Sequence, residues 1–244
     1  MGRFHGINFV TIETICVTPF QQNARLIIDD ESLDAAVVDP GGDVPLILQT
    51  IKKHDVSVKA IILTHSHIDH VGGVTALLKA LSEADPFVSP KLFAHRAEAD
   101  FRSSVSQQAL YFGLSPEEFL NAPEPDVYVE DGSEILIGNL VAKILFTPGH
   151  SPGHVAIFFD GESIKKTSSP RNPNAKTPVL ISGDALFAGS IGRTDLPGGN
   201  YFQLLESIKH KLLTLPGETI VKSGHGPDTT IERERRTNPF LLNS

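Results

Sequence analysis

Short apolar runs rich in β-branched residues open the chain. Residues 7–17, 25–28 and 35–38 carry that pattern and are predicted as strands. Asp39-Pro40-Gly41-Gly42 is a strong turn signal. Residues 44–54 then put Leu46, Ile47, Ile51 and His54 on one side, the period of a helix. The apolar run 59–63 is predicted as a buried strand, and Gly72-Gly73 opens a helix through Leu77, Leu78 and Leu81. Phe93 is placed on a short strand, and 96–120 is predicted helical with interruptions.

The strand pattern then restarts. Residues 135–137, 140–146 and 155–159 are three candidate strands, and 179–181 and 219–221 two more. Between them, 161–178 is polar with three prolines and is expected to be an exposed loop. The clearest helix is 201–215, with Tyr201, Leu204, Leu205, Ile208 and Leu212 on one face. A last helical turn is expected at 231–236. The order is strands, helices, strands, helix. It predicts an α/β chain with two sheets packed together and helices outside. No repeat and no linker divides it, so residues 1–244 are expected to form one domain.

Composition narrows the class. The 244 residues are 40% hydrophobic and 20% charged, which excludes disordered, coiled-coil and collagen-like chains. The single cysteine, Cys16, excludes an intrachain disulfide and a thiolate-rich zinc ribbon; within its apolar strand it is expected to be core. No apolar run approaches the ~20 residues of a membrane span, and residues 1–6 lack the apolar stretch of a secretory signal. A reducing, cytoplasmic setting is expected. The net charge of −8 disfavours nucleic acid and anionic membrane as partners.

The chemistry concentrates in His65-Ser66-His67-Ile68-Asp69-His70, four candidate metal ligands within six residues. On a helix His65 and His67 would stand about 200° apart. An extended or looped backbone puts i and i+2 on the same side. The segment follows an apolar strand and precedes two glycines, so the ligands are expected on a loop at a strand's C-terminal end. This is not the helical H-E-x-x-H arrangement. Imidazole and carboxylate together suit zinc, iron or manganese.

The segment resembles the H-x-H-x-D-H signature of the metallo-β-lactamase fold. Further stretches resemble that family's remaining motifs in the same order: Thr147-Pro148-Gly149-His150, Ser182-Gly183-Asp184 and Ser223-Gly224-His225-Gly226-Pro227. The resemblance implies an αββα sandwich of two mixed sheets. It also implies two divalent ions, zinc first with iron or manganese as alternatives. His65, His67 and His150 would hold one ion and Asp69, His70 and His225 the other, with Asp184 between them. Two such ions against Asp69, Asp184 and a hydroxide leave about +1, a locally positive site in an acidic protein. His154, four residues past His150, is expected to support the loop by hydrogen bonding rather than to bind metal. His5, His54, His95 and His210 are expected at or near the surface.

The branch of the family is narrowed by three differences. Aspartate stands where one lactamase branch has cysteine, His67 stands where flavin-linked di-iron relatives have glutamate, and the basic surface and extra domain of nuclease relatives are expected to be absent. Gly189-Ser190-Ile191-Gly192-Arg193-Thr194-Asp195 resembles a segment of glyoxalase II-like enzymes and persulfide dioxygenases, and Glu234-Arg235-Arg236-Thr237-Asn238-Pro239 resembles their arginine-bearing tail. The resemblance implies that Arg193 and Arg235 clamp the carboxylates of a glutathione-derived thioester, since a guanidinium fork suits a carboxylate. Only 19 residues follow His225, so the glutathione-gripping helical domain of the longer glyoxalase II enzymes is expected to be absent. The implied activity is hydroxyacylglutathione hydrolysis, hydroxide attacking the thioester carbonyl with Asp69 orienting it. The rival is a persulfide dioxygenase with one iron on His65, His150 and Asp184.

Overall fold

The computed structural model describes residues 10–87, 89–161 and 177–242. The first half of the chain builds one six-stranded sheet: β1 (Val10–Val17), β2 (Gln22–Asp29), β3 (Asp34–Val38), β4 (Ser57–Ile62), β5 (Lys91–Ala94) and β6 (Val127–Tyr128), in that spatial order. The first three strands meander antiparallel, and β3 to β6 run parallel. Parallel neighbours need crossovers, and helices supply them. These are α1 (Val44–His54), α2 (Ile68–Val71), α3 (Val74–Ala84), α4 (Ala99–Arg102) and α5 (Val105–Tyr111).

The second half builds the other sheet from β7 (Glu134–Ile137), β8 (Leu140–Phe146), β9 (Val155–Phe159) and β10 (Val179–Gly183). A small hairpin follows, β11 (Leu186–Phe187) with β12 (Ser190–Ile191). Then come α6 (Tyr201–Ser207), β13 (Ile220–Ser223), β14 (Thr229–Thr230) and α7 (Ile231–Thr237). The spatial order is β14-β13-β10-β9-β8-β7, with β10 and β13 parallel.

Strand alternation divides the core into three layers of side chains. Along β2, Leu26 and Ile28 face α1 and α3 through Ile47, Ile51 and Leu77, while Ile27 faces the other way. There it joins Val38 and Ile62 against Ile144, Ile157 and Ile181 of the second sheet. The outer face of that sheet, with Leu180 and Val221, packs on Leu204, Ile208 and Ile231. The result is the αββα sandwich of two mixed sheets. Every residue of β2, β9 and β10 is buried, which explains why β9, β10 and the Leu26, Ile27, Ile28 stretch of β2 read as continuous apolar runs rather than alternating ones.

Several sequence expectations change. Cys16 is exposed, not core: β1 is an edge strand, and Ile15 and Val17 take the covered face while Cys16 points to the other. The 201–215 helix is shorter, passing into wider turns over Ile208–Leu212 and stopping ahead of Pro216, which disfavours helical backbone before it. Its face holds at Leu204, Leu205, Ile208 and Leu212, but Tyr201 is 41% exposed. The 96–120 stretch is a single 3₁₀ turn (Arg96–Glu98), α4 and α5, and ends as helix at Tyr111. The strands β6, β11, β12 and β14, two residues each, carry no readable period. Most of the 161–178 loop, His5 and the start of the 7–17 strand lie outside the described residues. Among the described residues no helix is long and apolar enough to cross a membrane.

Candidate metal centre

Four strand ends meet along one edge of the sandwich. After β4, residues 64–67 are irregular, and His65 and His67 point the same way with ring centroids 4.7 Å apart. The chain then enters α2, so Asp69 and His70 lie on a one-turn helix rather than on the expected loop. The His70 N–H donates to the His67 carbonyl at 2.9 Å, and this turn brings the His70 ring beside that of His65, centroids 4.0 Å apart. His150 lies between β8 and β9. Asp184 follows β10, where the register with β13 shifts between Ile181 and Gly183. Gly183 takes φ +49°, and a Cβ there would stand 2.7 Å from His154 Nε2 and Thr64 Oγ1. His225 follows β13 and pairs with Gln22, the first residue of β2. A backbone bond from Val155 N–H to Thr64 O, 2.8 Å, ties the two sheets together at this edge.

The seven candidate residues come together as two groups. His150 Nε2 lies 3.0 Å from His67 Nδ1 and 3.2 Å from His65 Nε2. In the second group His225 Nε2 is 3.1 Å from Asp69 Oδ2, and His70 Nε2 is 3.7 Å from the same oxygen. Asp184 stands between the groups. One of its oxygens is 3.7 Å from His150 Nε2 and 3.5 Å from His225 Nε2, and the other is 3.4 Å from His70 Nε2. The donor sets His65/His67/His150, His65/His70/Asp184 and Asp69/His70/His225 each fit within 4.8 Å and could each hold an ion.

The far side of each imidazole decides what the near side offers. His150 Nδ1 meets the Arg193 carbonyl at 2.7 Å, and His225 Nδ1 meets the Phe20 carbonyl at 3.1 Å. A carbonyl only accepts, so both Nδ1 atoms carry hydrogen and both Nε2 atoms are bare in the neutral ring. Asp39 Oδ2 holds His70 Nδ1 at 3.0 Å and also takes the Thr64 hydroxyl at 2.6 Å. With its hydrogen committed there, Thr64 Oγ1 accepts from His65 Nδ1 at 3.0 Å. His65 and His150 therefore turn two bare nitrogens toward each other at 3.2 Å, an arrangement with no hydrogen between them. The buried His70 Nε2 and Asp184 Oδ1 have no hydrogen-bond partner either. Bare lone pairs converging in a buried place are what a divalent cation satisfies, so the residues fit the metal that the donor chemistry implies.

Charge separates the groups. Burial, reinforced by neighbouring imidazoles, holds His65 and His154 well below the ordinary imidazole range, and holds His67 at about 3. Burial also lowers His150, against the pull of Asp184. His70 behaves oppositely: burial would lower it, but Asp184, Asp69 and Asp39 outweigh that and raise it well above. Burial would raise Asp184, but His70 and His150 outweigh that and leave it far below the carboxylate range. One group is thus three neutral imidazoles and the other a carboxylate–imidazole mixture.

The supporting residues were mostly invisible in the sequence. Asp39 reads as part of a turn, yet its left-handed backbone (φ +50°) aims its carboxylate at Thr64 and His70. Glu98, inside a stretch predicted helical, takes bonds from Ser66 N–H, Ser151 Oγ and Gly153 N–H, linking the two histidine loops. Asn23 and Arg25 hold the Ser223 carbonyl beside His225. His154 uses both ring nitrogens, one with Thr147 Oγ1 at 2.8 Å and one accepting Asp184 N–H at 3.1 Å.

A cavity of about 600 Å³ opens on the cluster, with His67, Asp69, Asp184 and His225 on its lining. Arg193 also lines it, forked onto Asp195 through two bonds of 2.8 Å. Arg235 is not brought there: its guanidinium donates to the Leu213 and Leu215 carbonyls, closing the end of the preceding helix. His54 pairs with Glu13, His210 with Glu206, and His95 stacks on Phe146, all away from the cluster.

The sandwich with this edge cluster is that of a known class, and residues 17–164 match the metallo-β-lactamase superfamily; the chain belongs to it. It is 40% identical to hydroxyacylglutathione hydrolase GloC of Haemophilus influenzae, over 95% of this chain and 98% of that one. Among solved structures it resembles the BLEG-1 B3 metallo-β-lactamase (TM-score 0.78, 34% identity, 96% of this chain and 100% of that one). It also resembles TTHA1623 in a di-iron-bound form (TM-score 0.76, 36% identity, 94% and 100%). The chain is accordingly a metal-dependent hydrolase by family.

Proposed function

We propose that this protein hydrolyses thioesters of the hydroxyacylglutathione type. Two divalent ions would occupy the cluster, the first on His65, His67 and His150, the second on Asp69, His70 and His225, with Asp184 shared. Zinc is the expected metal, with iron or manganese accepted by the same donors. The di-iron form of the 36% identical relative supports a two-ion occupancy. Such ions lower the pKa of water from 15.7 to roughly 7 and polarise a carbonyl oxygen.

The chain's own groups do the rest. Asp69 lines the cavity with its Oδ2 3.1 Å from His225 Nε2, placed to orient the attacking oxygen. The carbonyls of Arg193 and Phe20 keep His150 and His225 in the tautomer with bare Nε2. The departing thiol has a pKa near 8.5, so it leaves as thiolate without a dedicated acid. Arg193 is the carboxylate anchor. Its pair with Asp195 is more than half exposed and screened by solvent, so a substrate carboxylate can replace Asp195.

The facing bare nitrogens of His65 and His150 beside an open cavity carry the hydrolytic reading. The glutathione thiol rests on the 40% identical hydrolase and on Arg193 at the cavity. The test is metal analysis of purified protein followed by loss of the thioester absorbance of S-lactoylglutathione. Two ions per chain with hydrolysis is the expected result. His65, His150 and Asp184 also make a two-histidine, one-carboxylate set, the donor pattern of non-haem iron oxygenases. One iron per chain with oxygen uptake on glutathione persulfide, and an intact lactoyl thioester, would assign the persulfide dioxygenase reaction instead.

A further inference from the structure

The cavity over the cluster is walled by aromatic rings, and the rings touch the metal-facing imidazoles. Phe101 sets its edge against His67, centroids 5.5 Å apart at 85°. Phe187 does the same to His225 at 6.2 Å and 76°. Phe20 and Phe112 meet edge to face at 5.3 Å, and Tyr111 continues the row against Phe112 at 5.1 Å. All five line the one cavity. Phe112 is 40% and Tyr111 80% exposed, far more than an aromatic needs to be if its purpose were the protein's own core.

Polar provision on this lining is thin away from the candidate ligands. Gln108 is already committed, receiving Ile68 N–H and donating to the Ser66 and Phe101 carbonyls. Among the described residues of the lining Arg193 is the one arginine or lysine, and it lies beside Asp195. A peptide-like group placed against the rings would leave its buried amides without hydrogen-bond partners, which is unfavourable. An apolar ring there would gain edge and face contacts instead.

We infer that the aromatic wall is an acyl-group subsite, and that this enzyme prefers thioesters whose acyl carbon bears an aryl or bulky apolar substituent over those with a small polar one. The inference rests on the thioesterase reading and adds the acyl class to it. The thiol arm, amide-rich and anionic, is directed to Arg193, and the acyl substituent to Phe101, Phe112 and Phe187. The reaction balances as ordinary hydrolysis: the C–S bond breaks, a C–O bond forms from one water, and the products are the acid and the thiol.

The test compares S-mandeloylglutathione with S-lactoylglutathione, which share the thiol and differ by phenyl against methyl on the hydroxyacyl carbon. The expected kcat/KM ratio favours the mandeloyl ester about tenfold or more. Phe112→Ala is expected to lower that ratio, and Tyr111→Ala, at a mostly exposed position that folding tolerates, is the second variant. Calorimetric binding of mandelate against lactate to the protein as purified gives a readout independent of turnover, with mandelate expected tighter. Hydrolysis of both esters without an aryl preference overturns the subsite and leaves the thioesterase. Tighter mandelate binding with neither ester hydrolysed upholds the subsite and overturns the thioesterase. Equal binding of the two acids, or a ratio unmoved in both variants, overturns the subsite.

Discussion

The Glu98 carboxylate accepts the backbone N–H of Ser66 at 2.8 Å, between the candidate ligands His65 and His67. Its other oxygen takes Gly153 N–H and Ser151 Oγ, both at 2.7 Å, on the loop of His150. One buried side chain therefore sets the distance between two loops more than eighty residues apart in the chain. Glu98→Ala strips three donors of their acceptor and is expected to destabilise the protein by about 2–4 kcal/mol. Urea unfolding of the variant checks the stability, and its metal content is expected to fall because the His65/His67/His150 set loses its brace.

Glu98 also predicts a pH dependence. Burial raises its pKa above the ordinary 4.5, opposed by bonds from Ser151, Gly153 and Ser66. The folded state thus holds this proton more tightly than the unfolded chain. Its stabilising contribution is full below pH 4.5 and is lost as pH rises through the folded pKa. Denaturation midpoints of metal-free protein from acid to neutral pH should show that downward component. In Glu98→Gln it should be gone.

Removing the metal is expected to abolish hydrolysis and lower the melting temperature, since an ion bound only by the folded state stabilises it by mass action. His67→Ala should do both in the presence of metal, because it takes Nδ1 from its place 3.0 Å from His150 Nε2. Undiminished turnover after complete chelation would contradict the assignment.

A methyl group tests the second donor group. A Cβ on Gly224 would lie 2.1 Å from Asp184 Oδ1 and 2.9 Å from His70 Cε1. Gly224→Ala must push Asp184 from its place between the groups, and metal content is expected to drop by one ion. Far-ultraviolet circular dichroism should stay native, because the clash is local to the site.

His154→Ala removes the acceptor of Asp184 N–H while leaving all seven candidate ligands. Loss of such an outer partner typically weakens metal affinity by roughly 10–100-fold. Competition with a chromophoric chelator measures it. Unchanged affinity would mean that the register shift at the end of β10 holds Asp184 unaided.

The periodic elements were legible in the chain because burial imposes a period. The 44–54 helix, the 140–146 strand and the 155–159 strand have the limits expected of them. The histidine cluster was legible because i and i+2 side chains on irregular backbone share a side, as His65 and His67 do. Two-residue strands such as β11 and β12 hold no period, and Cys16 shows that an apolar run on an edge strand does not say which face is covered.

By itself the sequence determined the layer order of the sandwich and the candidate ligand types of the His65–His70 segment, since these follow from local period and side-chain chemistry; the loops of His150, Asp184 and His225 were marked only by their likeness to the family's motifs. Which residues hold those loops in place was decided only in three dimensions. Glu98, Asp39 and the carbonyls of Phe20 and Arg193 act through directed hydrogen bonds to residues far away in the chain. Arg235, by the same logic, is held on the Leu213 and Leu215 carbonyls instead of at the cavity. The aromatic wall arises likewise, from rings on separate segments that meet once the two sheets close. A hydrogen bond or a ring contact depends on distance and angle, and a linear order of residues contains neither.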